Sequence, residues 1–180
     1  ANIAFAVRAR FCLLRDFGSA LSPMNAFQLI QGLETLPLRF KAHQENAIEV
    51  ANYLNNHEKV LKVIYPSFHE GEDKKRVEKY LKHGYGPLVG FELKGGEEAG
   101  KKFIDSLKLI YHVANIGDAR TLAIHPASTT HSQLSLEDQL RSGVTPGYVR
   151  LSIGIENIKD ILTDIEQALS EITNKAKNVA

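Results

Sequence analysis

At 180 residues, with 22 lysines and arginines against 21 acids and a formal net charge of +1, the chain is long enough for one domain plus part of another. It has no charge excess to draw it to nucleic acid or an anionic membrane, so a small molecule or a protein is the expected partner. Cys12, its single cysteine, excludes an internal disulfide and multi-cysteine zinc sites and fits a reducing compartment. No apolar run approaches a membrane span and no basic-then-apolar leader opens the sequence, which reads as a soluble, cytoplasmic protein.

Ala4 to Phe17 reads as a helix with no methionine, cap or entry turn before it, so the chain looks cut from something longer. Gly18-Ser-Ala-Leu-Ser-Pro23 interrupts that helix. A second helical run, Met24 to Leu36, meets Pro37. Phe40, His43, Ala47, Ile48, Ala51 and Leu54 recur at helical spacing and predict one amphipathic helix over Leu38 to about Asn55.

Strands and helices then alternate. Val60 to Tyr65 is strand-like and stops at Pro66. Asp73 to Lys82 is a short charged helix with Val77 and Leu81 on one side and Gly84 as its C-terminal cap. In Leu88 to Leu93, Val89, Phe91 and Leu93 alternate onto one face. Glu97 to Leu107 is helical and Leu109 to Val113 is the next strand. Ser135, with Asp138 three residues on, caps a short helix that ends at Gly143. Tyr148 to Gly154 is the last strand. The closing helix, capped by Asn157, carries Ile158, Ile161, Leu162, Ile165, Ala168, Leu169 and Ile172 on one stripe. Four strands with amphipathic helices on one face predict a two-layer α/β sandwich with a largely antiparallel sheet, its other face left to meet something else.

Period-two alternation sets Val149, Leu151 and Ile153 against Tyr148, Arg150, Ser152 and Gly154, so Arg150 points away from the helix-packed core. A guanidinium on a rigid strand can hold a carboxylate through two parallel hydrogen bonds, which a lysine cannot copy. The alternative is a surface arginine paired with a nearby acid. Asn115-Ile-Gly-Asp118 leaves a strand at a glycine, where backbone can approach a ligand, or is an ordinary strand-ending turn. The seven histidines form no metal-binding pair, and His125 and His131 flank a loop where hydrogen bonding to the backbone is the expected job; no metal is predicted. Cys12, between Phe11 and Leu13, reads as a buried, inert thiol.

Two segments, His112-Val-Ala-Asn-Ile-Gly-Asp-Ala-Arg-Thr-Leu-Ala-Ile-His-Pro-Ala-Ser-Thr-Thr-His131 and Val149-Arg-Leu-Ser-Ile-Gly-Ile-Glu156, together resemble the carboxy-terminal domain of the Cys/Met-metabolism family of pyridoxal-phosphate enzymes, and within it the O-acetylhomoserine sulfhydrylases. Leu21-Ser-Pro-Met-Asn-Ala-Phe27 and Gly32-Leu-Glu-Thr-Leu-Pro-Leu-Arg39 extend the resemblance over nearly the whole chain. It implies that residues 1–37 are a remnant of the large coenzyme-binding domain, 38–55 the connecting helix, and 56–180 the small C-terminal domain of a fold-type I enzyme. Arg150 would bind the substrate's α-carboxylate. Asn115, where the family often has serine, would help hold the substrate beside the coenzyme. Thr130 would line the active-site wall, its alternative being a hydroxyl that satisfies a loop backbone group.

The resemblance further implies conversion of O-acetyl-L-homoserine and sulfide to L-homocysteine and acetate, with pyridoxal 5'-phosphate as electron sink: α and then β proton abstraction expels acetate at Cγ before sulfide adds. O-succinylhomoserine sulfhydrylase, cystathionine γ-synthase and methionine γ-lyase are the close alternatives. The family's Schiff-base lysine belongs to a segment upstream of residue 1, so the chain alone is expected to bind no coenzyme and to be inactive without the missing N-terminal large domain. The intact enzyme would be a homo-oligomer, a tetramer by family. A non-catalytic α/β interaction or regulatory module is the reading from a different class.

Overall fold

The computed structural model describes residues 3–172 and divides into two compact units, Ala1–Pro37 and Leu38–Ala180. The first is helical: α1 (Ala4–Arg8) runs into a π-helical stretch (Ala9–Leu14) and then α2 (Arg15–Phe17), and α3 (Pro23–Glu34) follows. Proline starts α3, where its missing N–H costs nothing, and the Ser22 hydroxyl accepts from the Asn25 amide at 3.2 Å. The expected start at Met24 therefore lies one residue late. None of these helices has a buried residue. Cys12 is half-buried, which corrects the expectation of a buried thiol.

The next helix, α4, spans Leu36–Asn55 and takes in Pro37 in its first turn, where proline is tolerated. His43, Ala47, Val50, Ala51 and Leu54 are buried along one side, while Phe40 and Ile48 stay exposed. Next come β1 (Val60–Ile64), α5 (Gly71–Tyr80), β2 (Leu88–Leu93) and α6 (Gly96–Ser106). They are followed by β3 (Tyr111–His112), β4 (Leu122–Ile124), α7 (Leu136–Arg141), β5 (Tyr148–Ser152) and α8 (Ile158–Ser170). The α5 helix closes at Leu81, which is exposed, so Gly84 does not cap it.

The sheet has the order β1-β2-β5-β4-β3. Three of its pairings are antiparallel, and β3 lies parallel to β4 at the edge. Register lines up Val63, Phe91 and Val149 in one cross-sheet row and Val89, Leu151 and Ala123 in another. These residues meet the apolar stripes of α4, α6 and α8 in one core. Phe91 packs edge-on against Phe103 of α6 at 5.4 Å between ring centroids. Ile161, Ile165, Ala168 and Leu169 of α8 are fully buried, each large one stabilising by about 1.5–3 kcal/mol.

Five strands replace the expected four. Leu122, Ala123 and Ile124 are all buried, so β4 lacks the in–out alternation that marks a strand in sequence. The expected strand Leu109 to Val113 shrinks to Tyr111–His112 because its approach has another partner. The Asp164 carboxylate, buried on α8, accepts from the amides of Lys108, Leu109 and Ile110 at 2.9, 3.0 and 2.9 Å. Three amides that a strand partner would otherwise satisfy are thus tied to a helix.

Candidate substrate-carboxylate site

Arg150 lies mid-way along β5, between Gly90 of β2 and Ile124 of β4. Its guanidinium is held at one corner: Nη2 donates to the Ala114 carbonyl at 2.7 Å. Nε is buried without a hydrogen-bond partner. An N–H hidden from water and left unpaired costs about 1–3 kcal/mol, so the group is set up for an acceptor that the described residues do not supply. Tyr148, two residues earlier on the same face, packs close to Gly90, where an added Cβ would sit 2.7 Å from the tyrosine hydroxyl. Burial raises the Tyr148 hydroxyl above its usual pKa, against the opposing pull of Arg150.

Ala114 lies near the start of the loop between β3 and β4, and Asn115 follows it, exposed to solvent. The loop is bound back to β5. The Gly117 amide donates to Ser152 Oγ at 3.1 Å, and the Ile155 amide to the Ala119 carbonyl at 2.9 Å. At its tip Asp118 is held below the usual carboxylate range by the Arg120 backbone amide and then by its guanidinium, which also lies 4.6 Å from the Tyr111 ring centroid. The structure thus brings Arg150 to the residue beside Asn115. Thr130 is exposed after the turn Pro126–Ser128, and its hydroxyl meets His131 Nδ1 at 2.9 Å; no described hydrogen bond joins it to Arg150 or Asn115.

His125 is buried, with Nε2 2.8 Å from the Pro146 carbonyl and Nδ1 2.7 Å from Ser128 Oγ. Ser152 and the Ala114 carbonyl were not singled out as functional from sequence. Alternation does place Ser152 on the face of Arg150, but nothing in the residue string marks a backbone carbonyl as an anchor.

These residues fit a carboxylate: one planar cation, one buried donor without a partner, and hydroxyl and amide groups around it. They do not fit a Schiff base or a coenzyme phosphate. Lys59 and Lys94 donate to backbone carbonyls, and Lys101 pairs with Glu97 on α6, where the carboxylate raises the ammonium pKa and the ammonium lowers that of the carboxyl. No described lysine is bonded at the Arg150 loop. Among the described residues no helix is long and apolar enough to cross a membrane.

Residues 3–170 match the family model described as Cys/Met metabolism PLP-dependent enzyme. The chain is 55% identical over 172 residues to the O-acetyl-L-homoserine sulfhydrylase of Leptospira meyeri, covering 95% of this chain and 39% of that protein. It is 49% identical to O-acetyl-L-homoserine sulfhydrylase 1 of Thermus thermophilus, covering 94% and 40%, and 46% identical to the homocysteine synthase of Schizosaccharomyces pombe, covering 93% and 39%. The fold matches, with a TM-score of 0.84 and 42% identity, a crystal structure described as that of an O-acetylhomoserine (thiol)-lyase from Campylobacter jejuni, which carries N'-pyridoxyl-lysine-5'-monophosphate. The match covers 93% of this chain and 40% of that one. The chain therefore spans about two fifths of the length of the relatives it matches.

Proposed function

Because the chain belongs to the Cys/Met-metabolism family of PLP-dependent enzymes, we propose that it forms the carboxylate-binding portion of an O-acetyl-L-homoserine sulfhydrylase. The whole enzyme would make L-homocysteine and acetate from O-acetyl-L-homoserine and sulfide, in the cytoplasm and as a homo-oligomer. The observation that carries this reading is the buried, unpartnered Nε of Arg150 beside an Nη2 already fixed on the Ala114 carbonyl.

Bound pyridoxal phosphate would supply the electron sink for removal of the protons at Cα and Cβ. This chain's share is positioning. Arg150 fixes the α-carboxylate, and with it the direction of the rest of the substrate; Asn115 and Thr130 flank the bound amino acid. Orientation of this kind accounts for a large part of a barrier.

Arg150→Lys in the full-length enzyme keeps the charge and loses the fork, so kcat/KM for O-acetyl-L-homoserine should fall about 10- to 100-fold, the range of a charge-assisted hydrogen bond, with folding preserved. Unchanged kinetics would remove Arg150 from the site. Turnover of O-succinylhomoserine, or of cysteine as the thiol, in preference to these substrates would move the enzyme to a neighbouring activity. The 180-residue chain alone, with no described lysine at the site, should form no homocysteine until a separately expressed coenzyme-binding portion is added.

A further inference from the structure

Beyond the carboxylate fork, we infer that Glu156 is a positioning residue that holds the loop carrying the Ala114 carbonyl and Asn115 in its binding conformation. This rests on the carboxylate-site reading above. Glu156 follows β5, half-buried, and folds back over Gly154. One carboxylate oxygen accepts from the Thr121 amide at 2.6 Å and the other from the Thr121 hydroxyl at 2.8 Å. That hydroxyl in turn accepts from the Gly154 amide at 2.9 Å. Thr121 is fully buried and ends the loop, so the carboxylate clamps the loop's far end to the strand that bears Arg150.

The clasp needs a residue without a side chain at position 154. A Cβ on Gly154 would sit 2.2 Å from the Glu156 carboxylate, 2.4 Å from the Thr121 amide and 2.5 Å from the Ala119 carbonyl, so glycine is required by close approach. The turn is also moored to α4: Asn46 Nδ2 donates to the carbonyls of Gly154 and Glu156 at 3.1 and 2.9 Å. The near end of the loop is held by Arg150 itself. With Glu156 removed, the Thr121 hydroxyl and amide lose their acceptor, the loop keeps the weaker neutral ties of Gly117 to Ser152 and of Ile155 to Ala119, and the Ala114 carbonyl fixes the guanidinium less firmly. The consequence is a substrate that binds less well while the chemical step, once it is bound, is unchanged.

The test compares Glu156→Ala and Glu156→Gln with the parent in the full-length enzyme, by hydrogen exchange, kinetics and thermal unfolding. In Glu156→Ala, amides from Gly117 to Thr121 should exchange at least about tenfold faster, since a charge-assisted hydrogen bond is worth roughly that factor or more, with those of Ile161 to Leu169 unchanged. KM for O-acetyl-L-homoserine should rise about tenfold with kcat within about threefold, the signature of lost ground-state binding. Glu156→Gln keeps an oxygen for the Thr121 amide and should restore most of both. Exchange at parental rates, or acceleration spread equally over α8, overturns the clasp whatever the substrate is. A parent enzyme that does not turn over O-acetyl-L-homoserine overturns the proposed function instead, and the exchange arm still decides the role of Glu156.

Discussion

Residues 3–37 are richer in apolar side chains than residues 38–172, yet they leave them exposed while the second unit buries its own. In the first unit Phe5 is 88% and Phe17 79% exposed, and no helix buries a residue. In the second, Phe91 and Phe103 are fully buried between sheet and helices. An amphipathic helix acquires most of its stability from the surface that covers its apolar face, not from its own propensity. The second unit carries its own cover, in the form of a sheet whose inner rows meet three helices. In the first, the described helices have caps, such as Ser22, but expose their large apolar side chains.

The sharpest break of that comparison is to separate the two. A chain beginning at Leu38 should keep a cooperative thermal transition followed by circular dichroism, whereas a peptide of residues 1–37 should show only weak, gradually melting helicity, because isolated helices below about 12–15 residues are marginal in water. Cooperative melting of the peptide would contradict the contrast. Within the intact chain the same difference should appear as an asymmetry between two phenylalanines. Phe103→Ala should cost about 3–5 kcal/mol in urea unfolding, while Phe17→Ala should stay within about 0.5 kcal/mol, as surface substitutions do.

Asp164 gives the next effect in size. Replacing it with alanine leaves the amides of Lys108, Leu109 and Ile110 without their acceptor in a partly buried place, a loss of about 2–3 kcal/mol. Asp164→Asn keeps one oxygen and should lose about half as much. Equal losses in the two variants would mean that packing, and not the amide contacts, sets the cost.

The fold was legible where periodicity was clean. The stripe Ile161, Ile165, Leu169 and the alternation Val149, Leu151 placed α8 and β5, and the two-layer architecture followed from them. It was not legible at β4, buried on both faces, or at β3, whose approach is captured by a carboxylate some fifty residues away in sequence. The site divides the same way. Arg150 stood out through its chemistry and its position on the strand. The Ala114 carbonyl, the Ser152 hydroxyl and the Glu156 clasp act through contacts that only the folded chain creates, and Thr130 entered through family resemblance alone.

Alkaline pH offers the finest probe, since residues 1–37 contain no tyrosine and any tyrosine-linked loss of stability belongs to the second unit. Tyr65 is 1% exposed, donates to the Gly86 carbonyl at 2.9 Å and packs edge-on against Tyr85 and Phe68. Burial, and then the neighbouring Tyr85, push its hydroxyl up to about 12, from an ordinary value of 10.0. The neutral form is the one the fold keeps, so its contribution is fully present below pH 10. Between about pH 10 and 12 the unfolded chain releases this proton while the folded chain retains it, and stability falls as pH rises. Tyr65→Phe removes one such proton from the balance, so its urea midpoint should decline less steeply than that of the parent over this window. The decline should not vanish, because the Tyr53 and Tyr148 hydroxyls are raised as well. Parallel curves for parent and variant would mean that Tyr65 ionises in the folded state as readily as in the unfolded one, and that its buried hydroxyl does not set the alkaline limit of the core.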